Sequence, residues 1–252
     1  MPTNLDEIRR LLDECTEEER LAIFNDLRNQ FKIHPIEEEL NVRAEIILEA
    51  IHRASDVSIR GVRGLISEAS FEYYVVANLV GWRAETILGD TPYDFLLSDS
   101  AGSVSIQVKM QRLERHQPKL AKKIWQQEGK TVYVVETQKT RSGANEAGES
   151  TRPYRFGEFD VIAVSMHPSS RDWSLFFYTV GRWLLPSGND GALIGTFQPV
   201  PSEPDENTWT TDFTKAVQWF RDGEQKRIWA PPEVKSAVRT EQVASGGGGP
   251  VP

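Results

Sequence analysis

Apolar positions at Leu5, Ile8, Leu11, Leu12, Leu21, Ile23, Phe24 and Leu27 recur with a helical rhythm across the start of the chain. Thr16 followed by Glu19 is a capping-box signal that begins a second helix there, so a helix-turn-helix arrangement is predicted. Pro35 interrupts the pattern, and Leu40, Val42, Ile46, Ile47, Ala50 and Ile51 predict a third helix ending near Ala54. The acidic run Glu37 to Glu39 reads as a solvated face near the start of that helix. Residues 65 to 80 predict a further helix that stops before Gly81 and carries Glu68 and Glu72 one turn apart on the same side.

The pattern then changes to short strands. Ala84 to Leu88, Tyr93 to Ser98 and Val104 to Met110 are predicted strands, the last two joined by a turn at Asp99 to Gly102. Thr131 to Glu136 and Phe159 to Met166 are rich enough in Val and Ile to be central strands. Arg112, Arg115, His116, Lys119, Lys122 and Lys123 fit a helix from about Lys119 whose cations either contact DNA phosphates or form a solvated face. The polar, Gly-rich run from Lys139 to Arg155 is either a functional loop, with Arg141, Arg152 and Arg155 available to DNA, or a disordered insert. Trp173, Phe176, Phe177, Tyr178 and Trp183 are read as core or dimer-interface residues around a further strand or two. Phe213 to Arg227 predicts an amphipathic helix, and the chain ends in a Gly-rich flexible tail.

Composition narrows the class. The chain has 252 residues, 39% hydrophobic and 26% charged, with seven Trp, which is the make-up of a globular protein able to bury its own core. Cys15 has no partner for a disulfide and lies among acidic residues, which fits a reducing cytoplasm and argues against a catalytic thiol. The first residues lack the basic start and apolar run of a secretion signal, and no stretch suits a membrane span. Net charge is −8, which argues against indiscriminate coating of nucleic acid. Its distribution is uneven, however: residues 1–60 carry 8 basic and 14 acidic side chains, whereas residues 104–155 carry 11 basic and 5 acidic ones. A local basic face on an acidic protein suits an enzyme that grips a polyanion at one place.

That basic stretch contains the candidate chemistry. If Val104 to Met110 is a strand, alternation puts Ile106, Val108 and Met110 on the core face and leaves Ser105, Gln107 and Lys109 in the open. The turn at Asp99 to Gly102 brings Asp94 back beside Gln107 and Lys109. Phosphodiester hydrolysis calls for oxygen ligands to a divalent cation and for a group that orients water or steadies developing charge. Asp94 offers a carboxylate, Gln107 an amide oxygen and Lys109 an ammonium group. One carboxylate and one amide are short of negative charge, so a second carboxylate is expected, Glu68 first and Glu72 as the alternative. No GxxxxGK or GxGxxG pattern is present, so a nucleotide cofactor is not expected.

Pro92, Tyr93 and Asp94, followed by Gln107, Val108 and Lys109 after a helix bearing Glu68, resemble the catalytic core of the PD-(D/E)XK nuclease superfamily, in a variant with Gln at the usual acidic position. The resemblance covers about residues 64 to 166. It implies an α/β fold, a restriction-endonuclease-like αβββαβ core with a mixed central sheet, here flanked by a helical N-terminal extension and a C-terminal helix. It also implies that Glu68 and Asp94 ligate Mg²⁺, that Gln107 lies next to the metal and that Lys109 is the catalytic lysine. The expected layout is a helical region over residues 1–60, a nuclease core over 61–200, a helical appendage over 201–240 and a tail over 241–252. The expected activity is cleavage of double-stranded DNA by a homodimeric type II restriction endonuclease in the cytoplasm. A resolvase or repair nuclease, and a DNA-binding module that has lost catalysis, are the alternatives.

Overall fold

The computed structural model describes residues 3–126, 129–139, 143, 151–188 and 190–229. Arg141 and the Gly-rich tail lie outside the described residues. Among the described residues, no helix is long and apolar enough to cross a membrane. The chain divides into two compact units, residues 1–65 and 66–252.

The first unit is helical. Helices α1 (Asn4–Glu14) and α2 (Glu17–Gln30) each begin with a capping box, Thr3 with Asp6 and Thr16 with Glu19. The expected third helix is two: a single turn, α3 (Ile36–Glu39), and α4 (Ala44–His52). Between them Asn41 takes a positive φ of 49°, a conformation that ends a helix and that Asn tolerates better than most residues. Helix α5 (Asp56–Tyr74) follows, starting earlier and ending earlier than expected, with a 3₁₀ turn over Val76–Asn78 completing the segment.

Glu37 corrects the reading of the acidic run as a solvated face. It is buried, accepts the backbone N–H groups of Ile33 (2.6 Å), His34 (3.2 Å) and Ala44 (2.8 Å), and pairs with the Arg28 guanidinium at 2.8 Å. The loop entering α3 and the first residue of α4 have backbone donors that no helix satisfies, and one carboxylate gathers them. Those bonds, the Ala44 N–H foremost, hold the Glu37 carboxyl down to about 2.

The second unit is a mixed α/β fold. Strands β1 (Arg83–Ala84), β2 (Phe95–Asp99) and β3 (Gly102–Met110) lead into two short strands, β4 (Leu113–Glu114) and β5 (Gln117–Pro118), then β6 (Val132–Glu136) and β7 (Val161–Ser165). After them come a short helix α6 (His167–Ser170), β8 (Phe176–Val180), β9 (Phe197–Pro201) and helix α7 (Phe213–Arg221). The main sheet has the order β1-β2-β3-β7-β8, with β3 and β7 parallel and every other neighbouring pair antiparallel. Both β7 and β8 are buried along their whole length, as strands covered on both faces must be. Phe176, Phe177, Tyr178 and Trp183 belong to this core.

Helix α5 is anchored to the sheet through Phe71, which is fully buried with its ring 5.1 Å from Phe95, 5.4 Å from Phe176 and 6.2 Å from Phe213 of α7. Helix α7 begins at its Asp212 cap and ends before Gly223, whose φ of 72° stops the helix short of the expected Arg227. Its last residue, Arg221, makes two hydrogen bonds of 2.8 and 2.7 Å to Asp99 at the β2–β3 turn.

Two further expectations are corrected. Val132–Glu136 is a strand but not a member of the main sheet: it pairs with β9, a strand whose Pro199 and Pro201 hid it in the sequence. Nor is there a helix from Lys119. Arg115 and His116, with φ of 49° and 64°, form the tip of the β4–β5 hairpin, and only a 3₁₀ turn follows at Lys123–Trp125. The Lys119 N–H donates to the Arg112 carbonyl and the Ala121 N–H to that of Val132, both at distances below 3.0 Å, so this backbone is committed to extended neighbours.

Candidate active site

The β2–β3 hairpin forms as the alternation predicts, with Asp99 opposite Gly102 and Phe95 opposite Ile106. Just before β2, the Asp94 N–H still donates to the Ile106 carbonyl at 2.9 Å. Two residues further along β3, the side chain of Asp94 takes over from the backbone: its Oδ2 accepts the Val108 N–H at 2.8 Å. The same oxygen accepts a hydrogen bond from Gln107 Nε2. With its amino group so committed, Gln107 has its amide oxygen left as an acceptor.

Gln107 is not in the open, contrary to the expectation from alternation: it is 2% exposed. The reason is its strand. β3 is the third of five, and Gln107 sits in register with Ile162 of β7 as well as beside Asp94. Lys109, two residues on, is half-buried.

Glu68, Asp94, Gln107 and Lys109 all line one cavity of about 480 Å³. Glu72, the alternative carboxylate, is exposed and does not line it. Phe71 sets this choice: once its ring is packed on Phe95, Glu68 lies one helical turn back along the same face of α5.

The electrostatics follow from placing charges in a half-closed site. Burial raises the Glu68 carboxyl, the nearby Asp94 raises it further, and Lys109 partly offsets both. Burial also raises Asp94, against the pull of Lys109 and the Val108 N–H. Burial lowers Lys109, against the pull of Asp94 and Glu68. Each group is thus held with its charged form penalised by burial, and the two carboxylates repel one another.

That donor set suits a divalent cation. Among the described residues, no cluster of three or more His, Cys, Asp and Glu side chains could hold a metal alone. Mg²⁺ does not need one, because it keeps several waters and commonly takes one or two carboxylates plus a substrate phosphate. Two burial-raised carboxylates beside a free amide oxygen match that requirement in charge and in ligand type.

Three further residues reach the cavity from far along the chain: Lys139, Tyr154 and Glu158. Lys139 pairs with Glu158 at 2.8 Å, and Glu158 also accepts the Arg155 N–H at 2.8 Å. The ammonium groups of Lys109 and Lys139 lie 5.4 and 5.3 Å from the centre of the same Tyr154 ring. Tyr154, expected in a DNA-reading loop, is instead buried edge-on to Phe159 at 5.3 Å. No local motif marks these three residues; the one available signal was the basic bias of residues 104–155.

The basic residues expected on DNA fall into two groups. Arg112 forms an ion pair with Glu136, and Lys119 pairs with Glu114 at 2.8 Å, both near the Phe197 ring. Arg115, His116, Lys122, Lys123 and Arg155 are exposed, and Arg152 is half-buried against the Lys139 carbonyl.

No family model and no curated protein matches the chain. A solved structure similar to it is that of the bacterial homing endonuclease I-Ssp6803I, at 18% identity and a TM-score of 0.33, over 67% of this chain and 96% of that one.

Proposed function

We propose that this protein is an Mg²⁺-dependent DNA endonuclease whose active site is the cavity lined by Glu68, Asp94, Gln107 and Lys109. The observation that carries the reading is the convergence of two burial-raised carboxylates, an amide oxygen and a lysine in one cavity, from helix α5, the residue preceding β2, and β3. The Glu68 and Asp94 carboxylates and the Gln107 amide oxygen would hold the cation. When bound, it would polarise a phosphate and make water a stronger nucleophile. The chain's own residues do the rest. Gln107 and the Val108 N–H fix the Asp94 carboxylate in one orientation. Lys109, close enough to both carboxylates for their charges to act on it, orients the attacking water and steadies negative charge as it develops on the phosphate. Because burial lowers its proton affinity, Lys109 is also better able than a surface lysine to pass a proton.

Type II restriction cleavage by a homodimer is the specific form we favour, since cutting both strands of a palindrome is simplest with two symmetry-related sites. The test is incubation of the purified protein with plasmid and Mg²⁺. Discrete linear fragments support restriction cleavage, and cutting confined to branched DNA supports a resolvase. Asp94→Ala and Lys109→Ala are expected to lose at least about a hundredfold in rate while staying folded; wild-type cutting by either variant rejects the site.

A further inference from the structure

We propose that Lys139 is a second phosphate-binding cation of this site and contacts the backbone of the DNA strand presented to Lys109. The proposal rests on the nuclease reading above. Lys139 lines the same cavity as Glu68, Asp94 and Lys109 although it lies 30 residues beyond Lys109 in sequence. Two features fix its position. Glu158 binds its ammonium group at 2.8 Å, and Glu158 is itself held by the Arg155 N–H through its other oxygen. The Tyr154 ring lies under both Lys139 and Lys109, so its negative face offsets part of the repulsion between two cations facing one cavity.

An ion pair on a cavity wall could serve stability alone. The lining argues for more. Among the described residues, Glu68, Asp90, Asp94 and Glu158 bring four carboxylates to the lining of this cavity, and against them stand Lys109 and Lys139. A polyanion entering such a space meets net repulsion unless every cation present faces it and metal supplies the remainder. An ammonium group has three donors; Glu158 takes one, which leaves Lys139 able to bind a phosphate oxygen without giving up its anchor.

The experiment measures binding of a labelled mixed-sequence DNA duplex over a range of monovalent salt concentrations, with Ca²⁺ held constant in place of Mg²⁺ so that a divalent cation's charge is present in the cavity. Lys139→Met is expected to weaken binding and to reduce the slope of log K against log salt by about one phosphate contact. Lys139→Arg should restore both. Lys215→Gln, which removes a cation paired to Glu206 on α7 and absent from the cavity lining, controls for loss of charge in general and should leave the slope unchanged. If Lys139→Met does not fold, the double variant Lys139→Gln with Glu158→Gln keeps a neutral hydrogen-bonded pair and should show the same drop in slope. A purely structural Lys139 would change melting temperature and leave the slope alone, and that result overturns the proposal. Cleavage by the wild type and its loss in Asp94→Ala test the nuclease reading separately, so the two can fail independently.

Discussion

Gln107 donates its side-chain amide to Asp94, at a point where both side chains face the same cavity. An acidic residue at that position would place a second negative charge against Asp94; the amide supplies a donor there instead. Asp94 is held in place by that amide and by the Val108 N–H, both from β3.

The first prediction concerns that amide. Gln107→Glu removes the donor and sets two carboxylates in contact, so the metal-free variant should melt below the wild type. Added Mg²⁺ should then raise its melting temperature more than it raises that of the wild type, because binding to the native state is the stabilising event. Thermal melts with and without Mg²⁺ measure both; equal metal-induced shifts would show that Gln107 is not next to the cation.

Charge burial gives a second prediction. Burial raises the Asp94 carboxyl in the folded protein, so its contribution to stability is fully present below the unfolded value of about 4 and is lost as pH rises through the folded value. Asp94→Asn removes that loss. In metal-free buffer near neutral pH the variant should be more stable than the wild type, with the difference vanishing below about pH 4. A variant less stable than the wild type at neutral pH would contradict the raised carboxyl.

The pH dependence of metal binding follows from the same two groups. Glu68 and Asp94 both have raised carboxyls, so a cation binding their charged forms competes with protons. Mg²⁺ affinity, read by titration calorimetry, should therefore fall as pH drops through their raised range, and protons should be released on binding. Binding without proton release in that range would remove these carboxylates from the ligand set.

Phe71 links stability to the site. Its ring is fully buried, and Phe71→Ala should cost about 3–5 kcal/mol. Because that ring fixes the α5 turn bearing Glu68, Phe71→Leu, a milder change, should still weaken Mg²⁺ binding well below its melting temperature. Unchanged metal affinity in folded Phe71→Leu would show that Glu68 is positioned by something else.

In the helical unit, Glu37 has its carboxyl held at about 2, below the ordinary 4.5. Its stabilising contribution is present above 4.5 and is lost as pH falls toward 2. Glu37→Gln should lower helix content on heating at neutral pH and flatten its acid dependence, as circular dichroism would report.

The local features were legible in the sequence. Thr16 with Glu19 marks a helix start because the capping box is made within four residues. The Asp99–Gly102 turn and the alternation of Val104 to Met110 define a hairpin for the same reason, and with it the approach of Asp94 to Gln107 and Lys109. Glu68 could be anticipated because a cation site with one carboxylate is short of charge, with Glu72 one turn later on the same side as the alternative.

What only the tertiary structure decided depends on partners remote in sequence. Alternation says which face Gln107 occupies but not that its side chain is buried there, bonded to Asp94 on a strand flanked by β2 and β7. Lys119 fitted a helix until the pairing of its segment with extended neighbours claimed the backbone groups a helix would have used. Lys139, Tyr154 and Glu158 carry no motif; they meet Lys109 because β7, which follows Glu158, pairs with β3, and because Gln138 bridges to Pro153 and the Lys139 N–H donates to the Arg152 carbonyl. Spacing along the chain determined the hairpin and its three polar residues; long-range strand pairing and the packing of Phe71 determined which charges share their cavity.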